Sequence, residues 1–342
     1  MKYSMYIGGY GSEGISRVTL RNDRLRLVAS YPAVNPSYLC QSPDGQTLYA
    51  VGETQRFRGE FGGSVQSYAV DENGALTQTA ILATGGSDPC HLYRVGDILL
   101  ASNYSSGSLS RFRLTPDGRL DCALPLIPHE GRGAHPERQA GPHVHQAIPT
   151  ANGRYIAVTD LGLDSVFFYP IEYIQAEHPL PLRVRTPAGY GPRHSVFPRR
   201  GNVWYVLCEL VSVLLIYRGS PEDAQLIGKI PIGSGAYANA PAALRLSPDE
   251  RMLAVSGRGE NIIDLFAIGE NGMPARLAEI PSHGDWPRDV QFTPDGRYLV
   301  CANERGNALT AFEISDGYLL YRDSLALSAP SCILFTEMRS EY

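Results

Sequence analysis

Residues 286–304 read WPRDVQFTPDGRYLVCANE, two apolar runs on either side of the turn Thr293-Pro294-Asp295-Gly296. Proline presets the φ angle that such a turn needs, and Asp and Gly accept the rest of its geometry, so the stretch predicts a β-hairpin. The same turn signal recurs as Ser42-Pro43-Asp44-Gly45, Ala151-Asn152-Gly153 and Ser247-Pro248-Asp249-Glu250. The chain is therefore expected to consist of repeated hairpins.

A proline precedes each hairpin and marks the period of the repeat. These prolines are Pro36, Pro89, Pro142, Pro192, Pro241, Pro287 and Pro330, spaced 53, 53, 50, 49, 46 and 43 residues apart. A period near fifty that contains short strands and no helical pattern is typical of a β-propeller with one four-stranded blade per repeat.

The seventh repeat, which begins at Pro330, is too short to form a blade alone. We expect Lys2 to Leu27 and Ser331 to Phe335 to form one blade together, because shared terminal strands leave no open edge. The sequence therefore predicts an all-β, seven-bladed β-propeller closed by its two termini, a single domain over residues 1–342.

Composition excludes several classes of partner. The 342 residues carry a formal net charge of -5, which argues against general nucleic-acid binding. The most apolar run, Leu210 to Tyr217, is too short to cross a membrane, and no signal-peptide pattern begins the chain. Six cysteines without a C-x-x-C pair indicate reduced core residues. We expect a cytoplasmic protein, and the sequence assigns no oligomeric state.

Counting outward from each turn identifies the side chains that share one end of the hairpins. Eight residues before the turn lie Ser37, His145, Arg193, Ala242 and Arg288. At the matching positions after the turn lie Glu53, Tyr104, Leu161, Glu209, Arg258 and Glu304, preceded in three cases by Asn103, Asp160 and Asn303. Polar and charged side chains thus collect where first strands start and second strands end.

This collection predicts a binding site at the mouth of the propeller channel. Arg193, Arg258 and Arg288 come from three repeats, and guanidinium groups match carboxylate and phosphate geometry, so the ligand is expected to be an anion. The imidazoles of His91, His145 and His194 belong to the same set. The alternative is an internal salt-bridge network that only holds blades together.

The sequence gives little support for a metal site or for a serine nucleophile. His143 and His145 form an H-x-H pair, but no third ligand stands at metal-site spacing, and the sequence contains no G-x-S-x-G elbow. We therefore assign no metal and no organic cofactor.

The long connections Thr54 to Gly63 and Asp121 to Gly141 are candidate binding loops.

The chain resembles the seven-bladed propeller lactonases, the family of propeller-type 6-phosphogluconolactonases and carboxymuconate lactonizing enzymes. The resemblance covers essentially the whole sequence. It rests on DPCHL at 88–92 with ASNY at 101–104, ERQ at 137–139 with PHVH at 142–145, DLG at 160–162, GPRH at 191–194 and WPRD at 286–289. The chain departs from the family pattern at Cys208 and Gly257, where Asn is usual, and at Glu304, where Gln is usual.

The resemblance implies that His145, Glu209, Arg193 and Arg258 are catalytic. In the leading hypothesis they hydrolyse an anionic sugar lactone, 6-phosphogluconolactone, to 6-phosphogluconate in the pentose phosphate pathway. His145 is then the general base, Glu209 its orienting partner or an alternative base, and the two arginines the oxyanion donors.

Substrate binding is assigned to a wider set, and two other functions stay open. The assigned binding residues are Arg288, Arg138, His91, His194, Asn103, Asp160 and Glu53. The same constellation could act as a carboxymuconate-type cycloisomerase. The competing class is a non-catalytic propeller that serves as a scaffold or ligand sensor.

Overall fold

The computed structural model describes residues 2–11, 13–234, 239–315 and 317–336. These residues form seven four-stranded sheets, one two-stranded sheet and the short 3-10 helix Ile171–Tyr173. The chain divides into two compact units, residues 1–37 with 230–342 (unit 1) and residues 38–229 (unit 2).

In chain order the strands are β1 (Lys2–Gly9), β2 (Ile15–Arg21), β3 (Arg24–Tyr31), β4 (Leu39–Gln41), β5 (Thr47–Gly52), β6 (Arg56–Phe57), β7 (Glu60–Phe61), β8 (Ser64–Val70), β9 (Leu76–Ala83), β10 (Pro89–Val95), β11 (Ile98–Asn103), β12 (Ser108–Leu114), β13 (Leu120–Pro128), β14 (Val144–Pro149), β15 (Tyr155–Asp160), β16 (Ser165–Pro170), β17 (Leu182–Arg185), β18 (Pro192–Val196), β19 (Val203–Cys208), β20 (Val213–Arg218), β21 (Gln225–Pro231), β22 (Pro241–Leu246), β23 (Met252–Gly257), β24 (Ile262–Ile268), β25 (Pro274–Pro281), β26 (Pro287–Phe292), β27 (Tyr298–Asn303), β28 (Ala308–Ser315), β29 (Tyr318–Ala326) and β30 (Pro330–Phe335).

Each four-stranded sheet is a meander in chain order, interrupted in one sheet by the β6–β7 hairpin between β5 and β8, with one exception to the chain order. Unit 2 carries β4-β5-β8-β9, β10 to β13, β14 to β17 and β18 to β21, the last strand of which ends just inside unit 1. Unit 1 carries β22 to β25, β26 to β29 and the exception, the sheet β3-β2-β1-β30. The seven sheets confirm the predicted seven blades.

The exceptional sheet joins the two ends of the chain. In β1 and β30, Met5 pairs with Phe335 and Ile7 with Ile333. Met5, Ile7 and Ile333 are buried in one apolar cluster, so the pairing fills a core as well as an edge. The predicted shared terminal blade is confirmed, and β3 extends it to Tyr31 rather than Leu27.

The predicted turns close as i to i+3 hydrogen-bonded turns. The amide of Gly45 donates to Ser42 O at 2.9 Å, and that of Gly296 donates to Thr293 O at 2.8 Å. Gly45 and Gly296 have φ of 71° and 73°, which glycine adopts without steric cost. Glu250 occupies the same turn position with φ of 59°, where a side chain is strained.

This strain predicts that Glu250→Gly stabilises the protein by about 1 kcal/mol, because the left-handed conformation costs an L-residue roughly that much. The midpoint of urea unfolding should rise accordingly. Gly296→Ala is the matched control: it introduces the same strain with its nearest new contact, Pro248 Cδ, at 3.7 Å, and should lower stability by a similar amount. An unchanged midpoint in both variants would contradict the strain argument.

The first strand of several sheets contains a β-bulge. Val144 pairs with Asp160 and Gln146 with Thr159, so His145 is the extra residue in β14. The same shift makes Arg193 the extra residue in β18 and Arg288 the extra residue in β26. Bulges re-aim side chains at the ends of sheets, so three predicted site residues occupy positions suited to ligand contact.

One proline marker does not have the register of the others. Pro192 and Pro287 begin their strands, whereas Pro142 lies two residues before β14, and Val144 has the equivalent register position. Pro142 packs instead against Gly107, where a Cβ would lie 2.3 Å from Pro142 Cγ. The proline that marks this repeat therefore lies two residues before the position that Pro192 and Pro287 occupy in their repeats.

Asp264 on β24 predicts how the stability of the protein depends on pH. Burial raises its pKa to about 6, although the amide of Gly233 and the guanidinium of Arg276, 2.9 and 3.3 Å from Oδ2, favour the ionised form. Between about pH 4 and pH 6 the folded chain holds a proton that the unfolded chain has lost. The contribution of Asp264 to stability should therefore be complete below about pH 4 and be lost as the pH rises through 6, by up to about 3 kcal/mol.

Asp264→Asn should remove this loss, because the amide cannot ionise. The measurement is urea unfolding of both proteins at pH 4.5 and pH 7.5. The difference in unfolding free energy between the two pH values should be smaller in the variant. An identical pH dependence in both proteins would assign the effect to another group.

Candidate active site

The predicted site residues of unit 2 lie at the end of the sheets where first strands start, here called the proline end. The amide of Tyr104 donates to Asp88 O at 3.0 Å, and the amide of Glu209 donates to Gly191 O at 2.9 Å. These bonds hold the residue after each second strand against the start of the first strand. The positions obtained by counting outward from the turns are thus neighbours in space.

Gly191 shows why this local geometry needs its sequence. Its φ is 65°, and a Cβ on it would lie 2.6 Å from Leu210 Cγ. Only glycine fits such a close approach in the left-handed region. Because no side chain obstructs it, the Gly191 carbonyl can accept the hydrogen bond from the Glu209 amide. This bond lies two residues from Arg193, the extra residue of the β18 bulge.

Glu209 lies between two arginines. Its Oε1 accepts a hydrogen bond from Arg138 Nη2 at 2.6 Å, and its Oε2 forms an ion pair with Arg193 Nε at 3.1 Å. The side chains of Arg193 and Glu209 are only 4% and 7% exposed, whereas that of Arg138 is 43% exposed. A buried carboxylate needs such compensation, and two cations supply it.

Arg193 also contacts an imidazole. Its Nη1 lies 3.0 Å from His194 Nε2, and since a guanidinium only donates, Nε2 is the acceptor. His194 is then neutral, with its proton on Nδ1. The ring of His194 packs edge to face on that of His145, with centroids 5.4 Å apart.

Tyr104 completes a closed set of contacts. Its hydroxyl accepts from Arg138 Nη2 at 3.1 Å, and its ring lies edge to face on His145 with centroids 5.8 Å apart. Burial and the charge of Glu209 raise the pKa of Tyr104, so its hydroxyl stays protonated. The resulting ring of side chains, here called the His145 cluster, consists of His145, Tyr104, Arg138, Glu209, Arg193 and His194.

Arg138 reaches this cluster because the next residue anchors its loop. The side chain of Gln139 is completely buried and donates to Leu161 O at 2.8 Å and to Asp164 Oδ1 at 2.7 Å. Its Oε1 accepts from the amide of His135 at 2.8 Å. Burial by itself lowers the pKa of Arg138, but the Glu209 carboxylate raises it above its ordinary value, so the guanidinium stays charged.

Two predicted binding residues prove to be internal supports. Asp160 is completely buried; its Oδ2 contacts His129 Nδ1 at 2.7 Å, and its Oδ1 accepts from the amide of His143 at 2.8 Å. Asn103 is equally buried and donates to Ser110 Oγ at 2.8 Å. With no exposed surface, neither side chain can reach a ligand, and we correct both to positioning roles.

His91 and Glu53 are the remaining predicted binding residues of unit 2. His91 is buried, stacks on Tyr38 with centroids 4.2 Å apart, and lies 6.4 Å from the His194 ring, which places it beside the cluster. Glu53 is half-buried at the end of β5, and its binding role stays a prediction.

Unit 1 carries the other two predicted arginines. Arg258 is buried; its Nε donates to Ala240 O at 2.8 Å, and its guanidinium lies over the ring of Trp286. Arg288 forms an ion pair with Glu304 at 3.2 Å and donates to the Tyr10 hydroxyl at 2.8 Å. Both residues lie at the proline end of their own sheets.

The H-x-H pair is used for other contacts. His143 stacks on Tyr104 with centroids 4.5 Å apart, and its Nδ1 donates to Tyr104 O at 2.9 Å. Within the described ranges, no group of three or more His, Cys, Asp or Glu side chains is arranged to hold a metal ion.

In the same part of the chain, no helix is long and apolar enough to span a membrane.

The two candidate binding loops have different structures. The first, Thr54 to Gly63, contains the small β6–β7 hairpin. The second was predicted over Asp121 to Gly141, but β13 extends to Pro128, so only its later part is a loop. That part carries Arg138 and Gln139. Sequence analysis did not identify Gln139 as an anchor, because a buried amide leaves no recognisable pattern.

Comparisons with known proteins identify the family of the chain. Residues 4–335 match the family described as "Lactonase, 7-bladed beta-propeller". A Bacillus subtilis protein named 6-phosphogluconolactonase is 29% identical over 98% of both chains, and one from Formosa agariphila is 28% identical over 82% of this chain and 81% of the relative. The solved periplasmic gluconolactonase of Pseudomonas aeruginosa superposes with a TM-score of 0.89 at 28% identity, covering 98% of this chain and 99% of the other. The chain belongs to the family of lactonases with a seven-bladed β-propeller.

Proposed function

We propose that this protein is a lactonase that hydrolyses 6-phosphogluconolactone to 6-phosphogluconate, a step of the pentose phosphate pathway. The relatives that carry this name match 98% and 82% of the chain. The observation that carries the proposal is the His145 cluster, in which a charged Arg138–Glu209–Arg193 network contacts a pair of imidazoles.

The cluster supports a division of roles. Both carboxylate oxygens of Glu209 are bound by guanidinium groups, so Glu209 orients these groups rather than accepting a proton. The imidazole of His145 is then the general base. Arg193 is the oxyanion donor, since it is a buried cation held in place by its ion pair with Glu209. Arg258, which unit 1 carries, keeps the implied role of a further anion donor as a prediction.

The reaction needs only these groups. His145 takes a proton from water as the water oxygen bonds to the lactone carbonyl carbon, and the carbonyl oxygen becomes an oxyanion beside Arg193. The tetrahedral intermediate collapses by breaking the bond to the ring oxygen. That oxygen takes the proton from His145 and becomes the free hydroxyl of the acid.

The experiment compares reaction classes on one protein sample. Fresh 6-phosphogluconolactone, gluconolactone and carboxymuconate are offered separately, with and without EDTA, and the spontaneous hydrolysis rate is subtracted. We expect the highest kcat/KM for the phosphorylated lactone, unaffected by EDTA. Turnover of the muconate alone would identify a cycloisomerase, and turnover of none would favour a scaffold or sensor. Loss of activity in EDTA that a divalent ion restores would overturn the metal-free mechanism.

We also propose a cytoplasmic location, because all six cysteines are free thiols, which is the usual state of cysteines in a reducing compartment. One solved relative is described as periplasmic, so the point needs a direct test. Fractionation of the source cells, followed by detection of the chain, should place it with cytoplasmic marker enzymes.

A further inference from the structure

One sheet of unit 1 differs from three others in how its first and second strands are joined at the proline end. In the sheet β22 to β25, the carbonyl of Ala240, the residue before the first strand, accepts from Arg258 Nε at 2.8 Å. In three other sheets the corresponding carbonyl accepts from the backbone amide of the residue after the second strand; these pairs are Asp88 with Tyr104, Gly191 with Glu209, and Trp286 with Glu304. A carbonyl that elsewhere binds backbone thus binds a guanidinium here.

Asn239 makes the backbone contact in this sheet. Its carbonyl accepts from the amide of Gly259 at 2.8 Å, one residue farther from the strands on both sides. Its side chain is completely buried; Oδ1 accepts from the amide of Glu260 at 3.2 Å, and Nδ2 donates to Ile232 O at 3.3 Å. Asn239 therefore fixes the backbone that follows the arginine and leaves the next carbonyl for its guanidinium.

The amide of Asn239 lies where two other sheets place an asparagine of the second strand. Asn103 ends β11 and Asn303 ends β27; both are completely buried, and each pairs with the proline that begins the first strand. The residue with this register in β23 is Gly257. A Cβ on Gly257 would lie 2.4 Å from Asn239 Oδ1, so the missing side chain leaves the room that the amide occupies.

The surroundings of the three amides match. A glycine packs against each one so closely that a Cβ on it would lie 2.3 or 2.4 Å from an atom of the amide; the pairs are Gly86 with Asn103, Gly284 with Asn303, and Gly233 with Asn239. These glycines follow the ends of the outer strands β9, β25 and β21, respectively. The three asparagines therefore occupy equivalent places in their sheets, although Asn239 reaches its place from the other side.

We propose that Asn239 is a positioning residue for Arg258 and that it supplies the buried amide that Gly257 lacks. Because Asn239 binds the backbone one residue farther out, the Ala240 carbonyl can accept from the guanidinium and hold it in one direction. The part that Arg258 takes in lactone hydrolysis rests on the proposed function, whereas the placement of Asn239 does not.

Exchange of the two side chains tests the shared place. Gly257→Asn should destabilise the protein because the new side chain overlaps that of Asn239, and Asn239→Ala should destabilise it because a buried amide is lost. In the double variant the amide returns from the second strand, as in the sheets of Asn103 and Asn303. We expect the double variant to have a higher midpoint of urea unfolding than Gly257→Asn alone.

Asn303→Ala is the matched control, because it removes the equivalent amide from another sheet. Combined with Gly257→Asn, it should give losses of stability that add. Losses that add in the same way for Asn239→Ala would overturn the shared place. If Gly257→Asn does not fold, Gly257→Ala permits the same comparison, since its Cβ alone meets Asn239.

Tryptophan emission reports the position of Arg258 without any substrate. The guanidinium carbon of Arg258 lies 5.3 Å from the centroid of the Trp286 ring, and the second tryptophan of the chain, Trp204, belongs to unit 2. We expect Arg258→Ala to change the emission spectrum, Asn239→Ala to change it in the same direction, and the double variant to match Arg258→Ala. A wild-type spectrum in Asn239→Ala would overturn the positioning role.

Lactone kinetics connect this positioning to the proposed function. Arg258→Ala should lower kcat/KM for 6-phosphogluconolactone about 10- to 100-fold, the usual effect of losing a charge-assisted hydrogen bond. Asn239→Ala should lower it less, and the double variant should be no slower than Arg258→Ala. Losses that multiply would show that Asn239 does not act through Arg258. If the wild type hydrolyses no lactone, the proposed function fails, while the unfolding and emission measurements still decide the role of Asn239.

Discussion

His145→Gln should lower kcat for lactone hydrolysis by about 100- to 10,000-fold, the usual contribution of a general base. KM should change much less, because proton transfer develops only in the transition state. Residual activity is expected, since Arg193 and its partners remain in place. Initial rates over a range of lactone concentrations, corrected for spontaneous hydrolysis, give both parameters.

The control for this substitution is His178→Gln, because His178 is 88% exposed and lies outside the His145 cluster. It should keep wild-type kcat. The thermal midpoint of His145→Gln should stay within a few degrees of the wild type, since the change is small and leaves no large cavity. If His145 instead only braces the blades, the variant will melt earlier while its folded fraction keeps full kcat.

Removal of the residues after Ala329 should unfold the protein or lower its thermal midpoint by more than about 10 °C. This truncation deletes β30, which covers the edge of β1 and buries Ile333. It also deletes the hydrogen bonds from Ser331 Oγ to Ser37 O and from the Ile333 amide to Asp289 Oδ2, both 2.9 Å. Losing several buried side chains and a strand edge exceeds the few kcal/mol that keep a domain folded.

A graded control separates the edge from the core. Ile333→Ala keeps β30 but removes one buried side chain, and should cost about 2–5 kcal/mol. Differential scanning calorimetry of the three proteins should therefore rank the wild type above Ile333→Ala, and that variant above the truncated chain. A truncated chain that melts like the full one would refute the role of the shared terminal blade.

The blades and their hairpins were predictable because their signals are local. Turns such as Thr293 to Gly296 specify a hairpin from four residues, and the pairing then follows from the period-two geometry of strands. Counting from the turns also placed His145, Arg193 and Glu209 at the same end. That counting succeeded because the bulge recurs at the same register in β14 and β18.

The contacts that complete the His145 cluster were not predictable in the same way. Arg138 and Glu209 are 71 residues apart, and their contact depends on a loop whose anchor, Gln139, is buried. Position along a strand also does not say which way a side chain points. Asp160 and Asn103 were therefore predicted as ligand contacts, although both lie inside the protein with internal partners.

A double-mutant cycle on kcat/KM provides the most direct test that the His145 cluster is the catalytic unit. The wild type, His145→Gln, Glu209→Gln and the double variant are assayed with 6-phosphogluconolactone under identical conditions. If the cluster acts as one unit, the double variant should be about as slow as the slower single variant, because either substitution already disables the unit. Losses that multiply in the double variant would contradict the account, since they would show that His145 and Glu209 act independently.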